Sequence, residues 1–261
     1  MKHPMMSSPL RRLSACAALL FMCSQGVVRG QVIATVGPQS SPSGGQVWIS
    51  VSNDTAAQIF LSSPCPFVVK DAVGAVVYGP FCPAVLQPVA AGGVYTTVWN
   101  QQNFLGNQVP PGNYTIEVTL PSGPSVQSVN IATTEDMGTA QLGAIKIGRT
   151  RQLGVTAPAD GGFLFLTAAA FTPGPAILTC GGIVPLAADA LLTLTLTPGN
   201  GFMNGNSGTL SPTGDSTAPS ITLPNLPSLI GLSFWVASVA VDPAAACNVR
   251  SISQAMFVTV T

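Results

Sequence analysis

Histidine is almost missing from this chain of 261 residues, where only His3 represents it. Charge is scarce, with Asp, Glu, Lys and Arg together at 7% of residues, and aromatics supply another 7%. Long apolar runs are missing as well: each is broken by Gly, Pro or a polar residue within about ten positions, well short of the roughly 20 that a membrane-spanning helix needs. No CxxC spacing, no D-x-D-x-D and no S-x-x-K occurs.

The first thirty residues sharpen these absences. Lys2, Arg11 and Arg12 precede an apolar run from Leu13 to Cys23, and small residues follow at Ser24, Gly26 and Gly30, the layout of a secretory signal peptide. Residues 1–30 are therefore expected to be removed on export, with cleavage after Gly26 or Gly30. Met22 before Cys23 is too large for a lipobox, which argues against a lipid anchor. The lone His3 leaves with the signal. Ser-His and Cys-His nucleophile pairs, histidine zinc sites and histidine general bases are then all excluded.

Cleavage after Gly30 leaves Lys70, Lys146, Arg149, Arg151 and Arg250 against nine acidic residues, a net charge of −4. Only Lys146, Arg149 and Arg151 cluster, and they read as polar positions on one strand. Nucleic acid is not an expected partner, because phosphate binding needs a broad basic face.

Four cysteines survive processing: Cys65, Cys82, Cys180 and Cys247. In an exported chain an even number points to disulfides. The segment PCPFVVKDAVGAVVYGPFCP reads as a hairpin with its turn at Asp71 to Gly74, which sets Cys65 opposite Cys82 and leaves Cys180 to pair with Cys247. A metal-thiolate site would need spacings that are not there.

What the chain has in quantity is alternation. In VYTTVWNQQNFLGNQVPPGNYTIEVTL, Val94 to Trp99 shows the period of two of a half-buried strand. A polar loop and the rigid Pro110-Pro111-Gly112 corner follow, and Tyr114, Ile116, Val118 and Leu120 resume the alternation. This is the layout of an immunoglobulin-like corner, in which the tyrosine bonds back to the main chain. Strands are expected at Val32–Val36, Val47–Val51, Gln58–Leu61, the cysteine hairpin, Val85–Val89 and Val126–Ile131. In the second half they are expected within Ala144–Ala157 and at Gly162–Ala170, Ile177–Cys180, Leu191–Thr197, Leu232–Val241 and Ser253–Thr261. Pro224–Gly231 reads as one helical turn, and Gly37–Gly45 and Gly199–Ser216 as loops. The fold class is all-β: an immunoglobulin-like sandwich over 31–132, a polar linker over 133–140 and a second β-sandwich over 141–261. Hydrophobic residues at 47% separate this Gly- and Pro-rich chain from disordered ones.

The motifs carry two resemblances. VSNDT, FVVKDAVGAVVY and VWNQQNFLGNQVPPGNYTIEV show an asparagine turn, V-x-D-x-x-G, W-N-Q and V-P-P-G-x-Y, and through them residues 47–120 resemble the BsuPI-type proteinase inhibitor domain, an immunoglobulin-like bacterial module. This chain departs from that pattern in its Cys65 and Cys82 and in its exported setting. LGAIKIG, GFLFLTAA, GIVPLA, LTPGNGF, ITLPNLPSLIGLSFWVASVAVDP and ISQAMFVTVT make residues 141–261 similar to a C-terminal module common in secreted bacterial proteins, of uncharacterised function.

Trp99, Gln101, Gln102 and Phe104 are the candidate interaction loop, with aromatic and amide groups displayed on a rigid sandwich. In the alternative reading the Trp packs at the sandwich edge and the amides satisfy loop backbone. Glu135 with Asp136, or Asp160 with Asp189, are the acids placed to contribute to calcium binding, but their spacing makes no calcium loop. Lys70 and Lys146 lie in expected strands without a nucleophile motif, and no paired carboxylates are flanked by the aromatics of a sugar cleft. Asn53-Asp-Thr and Asn113-Tyr-Thr match the glycosylation sequon. No cofactor, metal or catalytic residue is expected. The sequence reads as an exported non-catalytic protein with a protein or cell-surface partner. A proteinase inhibitor is the alternative, and a hydrolase ranks behind both.

Overall fold

In a computed structural model the chain is described over residues 30–134, 136–174, 176–179, 182–244 and 248–261. The signal peptide, Glu135, Cys180 and Cys247 lie outside them, and with these the expected Cys180–Cys247 pair.

The first half consists of strands β1 (Val32–Gly37), β2 (Ser40–Pro42), β3 (Val47–Asn53), β4 (Ile59–Leu61), β5 (Phe67–Lys70), β6 (Val76–Tyr78), β7 (Gln87–Val89), β8 (Val94–Trp99), β9 (Gly112–Leu120) and β10 (Gly123–Ala132). Sheet β1-β3-β8 faces sheet β2-β10-β9-β5-β6, and β4 pairs with β7 beside them. Neighbours are antiparallel except β2 and β10. Alternation fills the interior. Tyr114, Ile116, Val118 and Leu120 from β9 meet Val47, Ile49 and Val51 from β3, with Trp99 and Leu61, in one core. Tyr114 Oη donates to Pro110 O at 2.7 Å and its ring meets Trp99 edge-on at 5.6 Å, so the tyrosine corner forms.

The second half contains β11 (Gly138–Gln141), β12 (Thr150–Thr156), β13 (Leu164–Ala170), β14 (Ala176–Thr179), β15 (Gly182–Ala187), α1 (Ala190–Leu196), β16 (Met203–Asn204), β17 (Ser207–Thr209), β18 (Asp215–Ser216), β19 (Ser220–Thr222), β20 (Ser233–Val241), β21 (Val249–Ile252) and β22 (Met256–Thr259). Sheet β11-β12-β19-β16, with β18 also on β12, packs on sheet β17-β13-β20-β21, with β22 on β20. Leu153, Ile221, Phe234, Val236 and Val258 fill the space between them. The outer face of β13 and β20 is covered by hairpin β14-β15 and by α1, through Leu186, Leu192, Ala168 and Ala237.

Three local expectations are corrected. Leu191–Thr197 is a helix over Ala190–Leu196, because Asp189 caps it by accepting from Leu192 N at 3.0 Å. The helix buries Leu191, Leu192 and Thr195, a spacing of one helical face, and leaves Leu194 and Leu196 exposed, so the Leu/Thr alternation is not used. The polar stretch 133–140 is not linker throughout: Met137 is fully buried and Gly138–Gln141 is strand β11 on β12. Its Thr139 hydroxyl lies 2.8 and 3.0 Å from the buried Ser238 and Ser253 hydroxyls, which satisfies inside the protein a residue that composition assigns to solvent. The expected loops 37–45 and 199–216 contain the short strands β2, β16, β17 and β18. Pro227–Leu229 forms one 3₁₀ turn within 224–231.

The two halves share a packed interface. All seven residues of β3 are buried: one face enters the first core, and on the other Trp48 and Ser52 meet the second half, while Ser50 Oγ pairs with Thr96 Oγ1 of β8 at 2.9 Å. Trp48 packs with Ala140 and Leu142 and lies on bare Gly154, where a Cβ would come within 2.8 Å of the indole. Ser52 Oγ accepts from Ala144 N at 2.9 Å, and Thr35 Oγ1 from Gly143 N at 3.1 Å.

Candidate functional site

The corner that orders β9 also builds the loop before it. Trp99 is buried and its Nε1 donates to Gln102 O at 2.8 Å. Gln101 has φ 58°, and its fully buried side chain works as an anchor. Its Nε2 donates to Ser41 Oγ at 2.9 Å and Pro42 O at 2.8 Å, while its Oε1 accepts from Gly44 N at 3.0 Å and Gln108 Nε2 at 3.1 Å. Gln102 and Gln108 pair across the loop base. Asn103 Oδ1 then accepts from Leu105 N at 2.9 Å and Asn107 N at 3.1 Å, and Gly106 supplies φ +77°. The result is a tight, internally bonded tip that displays Phe104 and Leu105, the latter 82% exposed.

A second apolar loop lies beside it. Phe104 sits 6.1 Å from the Tyr78 ring and donates its N–H to Val77 O at 3.2 Å on edge strand β6. From there the chain runs through fully exposed Phe81 to exposed Val85 and Leu86. Cys82, within this loop, is bonded to Cys65 with Cα atoms 5.9 Å apart, which ties the loop to the start of β5. The candidate interaction loop thus divides: Gln102 and Phe104 are exposed, whereas Trp99 and Gln101 are corrected to internal supports. Burial of the tryptophan was one of the two sequence readings, but nothing local signals that Gln101 reaches back to the β2 segment. Leu105, Phe81, Val85 and Leu86 were missed, because single apolar residues in loops are ordinary on protein surfaces and carry no local signal of their own.

The remaining singled-out residues have structural partners. Lys70 Nζ lies 2.6 Å from Glu117 Oε2. Lys146 and Arg151 do not form a basic surface with Arg149: both turn onto Asp54 of the first half, at 3.7 and 3.4 Å, and Arg151 also donates to Ala144 O and Gly92 O. Burial pushes the Arg151 pKa down, with Asp54 opposing and Arg149 adding to that shift. Asp160 is buried against Arg250 Nε at 2.7 Å and the Ser251 hydroxyl, and the Arg250 guanidinium also stacks 4.1 Å from the Phe163 ring centroid. Asp189 caps α1 and accepts from Phe171 N at 2.7 Å. Among the described residues no three His, Cys, Asp or Glu side chains come together as a metal site, and Glu135 lies outside them. Asn53 is fully buried, with its Nδ2 on the carbonyls of Ala57, Val89 and Ala90, while Asn113 is exposed.

Where the halves meet, a cleft of about 510 Å³ opens between β1, with the turn after it, and β11, β20 and β22. Its wall carries the Trp235–Phe257 pair, ring centroids 4.9 Å apart and inclined by 52°. A shallower cavity of about 490 Å³ lies near Asp136 and Arg250.

No family model matches the sequence, and no curated protein matches it. Among solved structures, red sea bream transglutaminase is 12% identical at a TM-score of 0.30, covering 90% of this chain and 32% of that one. An Escherichia coli alpha-2-macroglobulin fragment from domain MG7 to the C-terminus is 18% identical at 0.26, covering 56% and 24%. The chain therefore spans about a third or less of either neighbour. Likeness at this level transfers no activity.

Proposed function

We propose that this chain is an exported, non-catalytic binding protein that engages a protein or cell-surface partner through the loop end of its first sandwich. The observation that carries this reading is the anchored 101–108 loop: Gln101 and the Asn103 turn fix the backbone, and Phe104, with its ring against Tyr78, and Leu105 are exposed at its tip. An apolar tip held rigid before contact lowers the ordering cost of binding, and aromatic anchors dominate interface energy. The export layout, the Cys65–Cys82 disulfide and the absence, among the described residues, of a helix able to cross a membrane fit an extracellular or envelope setting. The buried Asp54 and Asp160 are each paired with an arginine, which fits a structural role for them.

The test is capture of partners by the mature protein from culture supernatant and envelope extract, identified by mass spectrometry, with a Phe104→Asp/Leu105→Asp variant in parallel. Partners retained by the native protein and lost by the variant support the reading, whereas identical capture by both removes it.

A second reading, proteinase inhibition by the same loop, is favoured by its preorganisation and by the resemblance to the BsuPI-type domain. Assay against serine, cysteine and metalloproteases tests it: inhibition that is abolished by Leu105→Asp supports it, and uninhibited proteases across the panel exclude it.

A further inference from the structure

The cleft between the sandwiches has a lining with an unusual chemical balance. Among the described residues no charged side chain borders it. One wall is aromatic, with Trp235 on β20 and Phe257 opposite it on β22, the latter 54% exposed. Carboxamides approach from the other elements: Gln39 from the turn after β1, Gln127 from β10 and Gln141 at the end of β11. The amides of Gln39 and Gln141 make no hydrogen bond to protein among the described residues.

These facts sort ligands by chemistry. An anionic ligand would lose its hydration and gain no ion pair here. A wholly apolar ligand would strand the carboxamides without partners, at a cost for each. A neutral oligosaccharide meets both conditions. The C–H face of a sugar ring lies against an aromatic ring, and its hydroxyls, donor and acceptor at once, match a carboxamide that is also both. At about 510 Å³ the cleft lies within the ordinary range of ligand pockets, and it sits at a junction between sandwiches, a place where such pockets recur. The geometry points to a binding site for a neutral oligosaccharide in this cleft, separate from the loop end of the first sandwich.

The chain has three tryptophans, of which Trp48 and Trp99 are buried, so emission that changes with sugar reports Trp235. The mature protein is titrated with cellohexaose, chitohexaose and maltohexaose, with hexagalacturonate and an uncharged Gln/Ser peptide as comparisons, by fluorescence and calorimetry. Saturable binding of a neutral hexasaccharide is expected, weakened about tenfold by Phe257→Ala through loss of one stacking contact and about fivefold by Gln141→Ala through loss of a hydrogen bond. Trp235→Phe removes the optical signal while calorimetry still detects weaker binding, and Phe104→Asp changes neither. No saturable response to any neutral hexasaccharide at millimolar concentration overturns the site. So does equal binding of hexagalacturonate, preference for the peptide, or unchanged affinity in both Phe257→Ala and Gln141→Ala. Circular dichroism confirms that each variant is folded, and the native protein's titration decides the question even if one variant is not.

Discussion

Arg151 in the second half of the chain places Nη2 3.4 Å from Asp54 Oδ1 in the first, with the two side chains only 7% and 4% exposed. The pair crosses 97 residues of sequence and lies beside the covered face of β3. An ion pair this buried adds little relative to an apolar replacement but is expensive to break from one side. Asp54→Asn alone, which leaves the Arg151 guanidinium buried without its carboxylate, is expected to cost about 3–5 kcal/mol, and Arg151→Met alone less, because Lys146 still faces Asp54 at 3.7 Å; Asp54→Leu/Arg151→Met together recover most of the Asp54→Asn loss. Urea unfolding of the single and double variants checks this.

Tyr114→Phe removes one hydroxyl and leaves Pro110 O without its donor at the corner before β9. A loss of about 1 kcal/mol is expected, read as a lower urea midpoint with an unchanged slope. Unaltered stability would mean that water replaces the hydroxyl at that carbonyl.

Asp189→Ala takes away the acceptor for both Leu192 N and Phe171 N. The expected cost is about 1–2 kcal/mol. Amide exchange should accelerate first in α1 and at the end of β13, because the same carboxylate holds both.

Asp215 has a buried Oδ1 without a hydrogen-bond partner among the described residues, and burial pushes its pKa up although the Thr156 and Thr213 hydroxyls oppose the shift. The sign follows from proton counting: between the ordinary aspartate pKa and the raised folded one, the native state binds more protons than the unfolded chain, so stability falls as pH rises. Below the ordinary value the penalty is absent, and above the raised value it is complete. Asp215→Asn is therefore expected to stabilise the protein at neutral pH and to leave it unchanged in acid, as thermal melts across that range would record.

Cys65→Ser/Cys82→Ser opens a loop with a sequence separation of 17. On the chain-entropy account the loss is about 3 kcal/mol. If the disulfide also holds Phe81 in place, this variant will capture the partners of the loop end less well at temperatures where it is still folded.

What could be read in advance follows a physical division. Period-two burial is a local property, so β9 and the inward side of β3 were legible from residue types alone, and β20, buried at Val236, Ala237 and Ser238 in succession, was legible as a continuous apolar run. So was the Tyr114 corner, where rigid Pro110-Pro111-Gly112 forces the geometry. Leu191–Thr197 failed because alternating Leu and Thr satisfies a strand template equally well, and the deciding residue, Asp189, lies outside the stretch. Thr139 failed because a hydroxyl counts as solvent-facing until its distant partners Ser238 and Ser253 are known. Gln101, Arg151 and the cleft depend on contacts between remote segments, to which no single window of sequence points.

The double-sided burial of β3 has a thermodynamic consequence. A strand whose Val47, Ile49 and Val51 belong to one interior and whose Trp48 and Ser52 belong to the other cannot leave either without disrupting both. Heating should thus produce a single calorimetric peak with equal van't Hoff and calorimetric enthalpies. A fragment ending after Ala132, severed from its other half, would bare a tryptophan-bearing sheet face and self-associate.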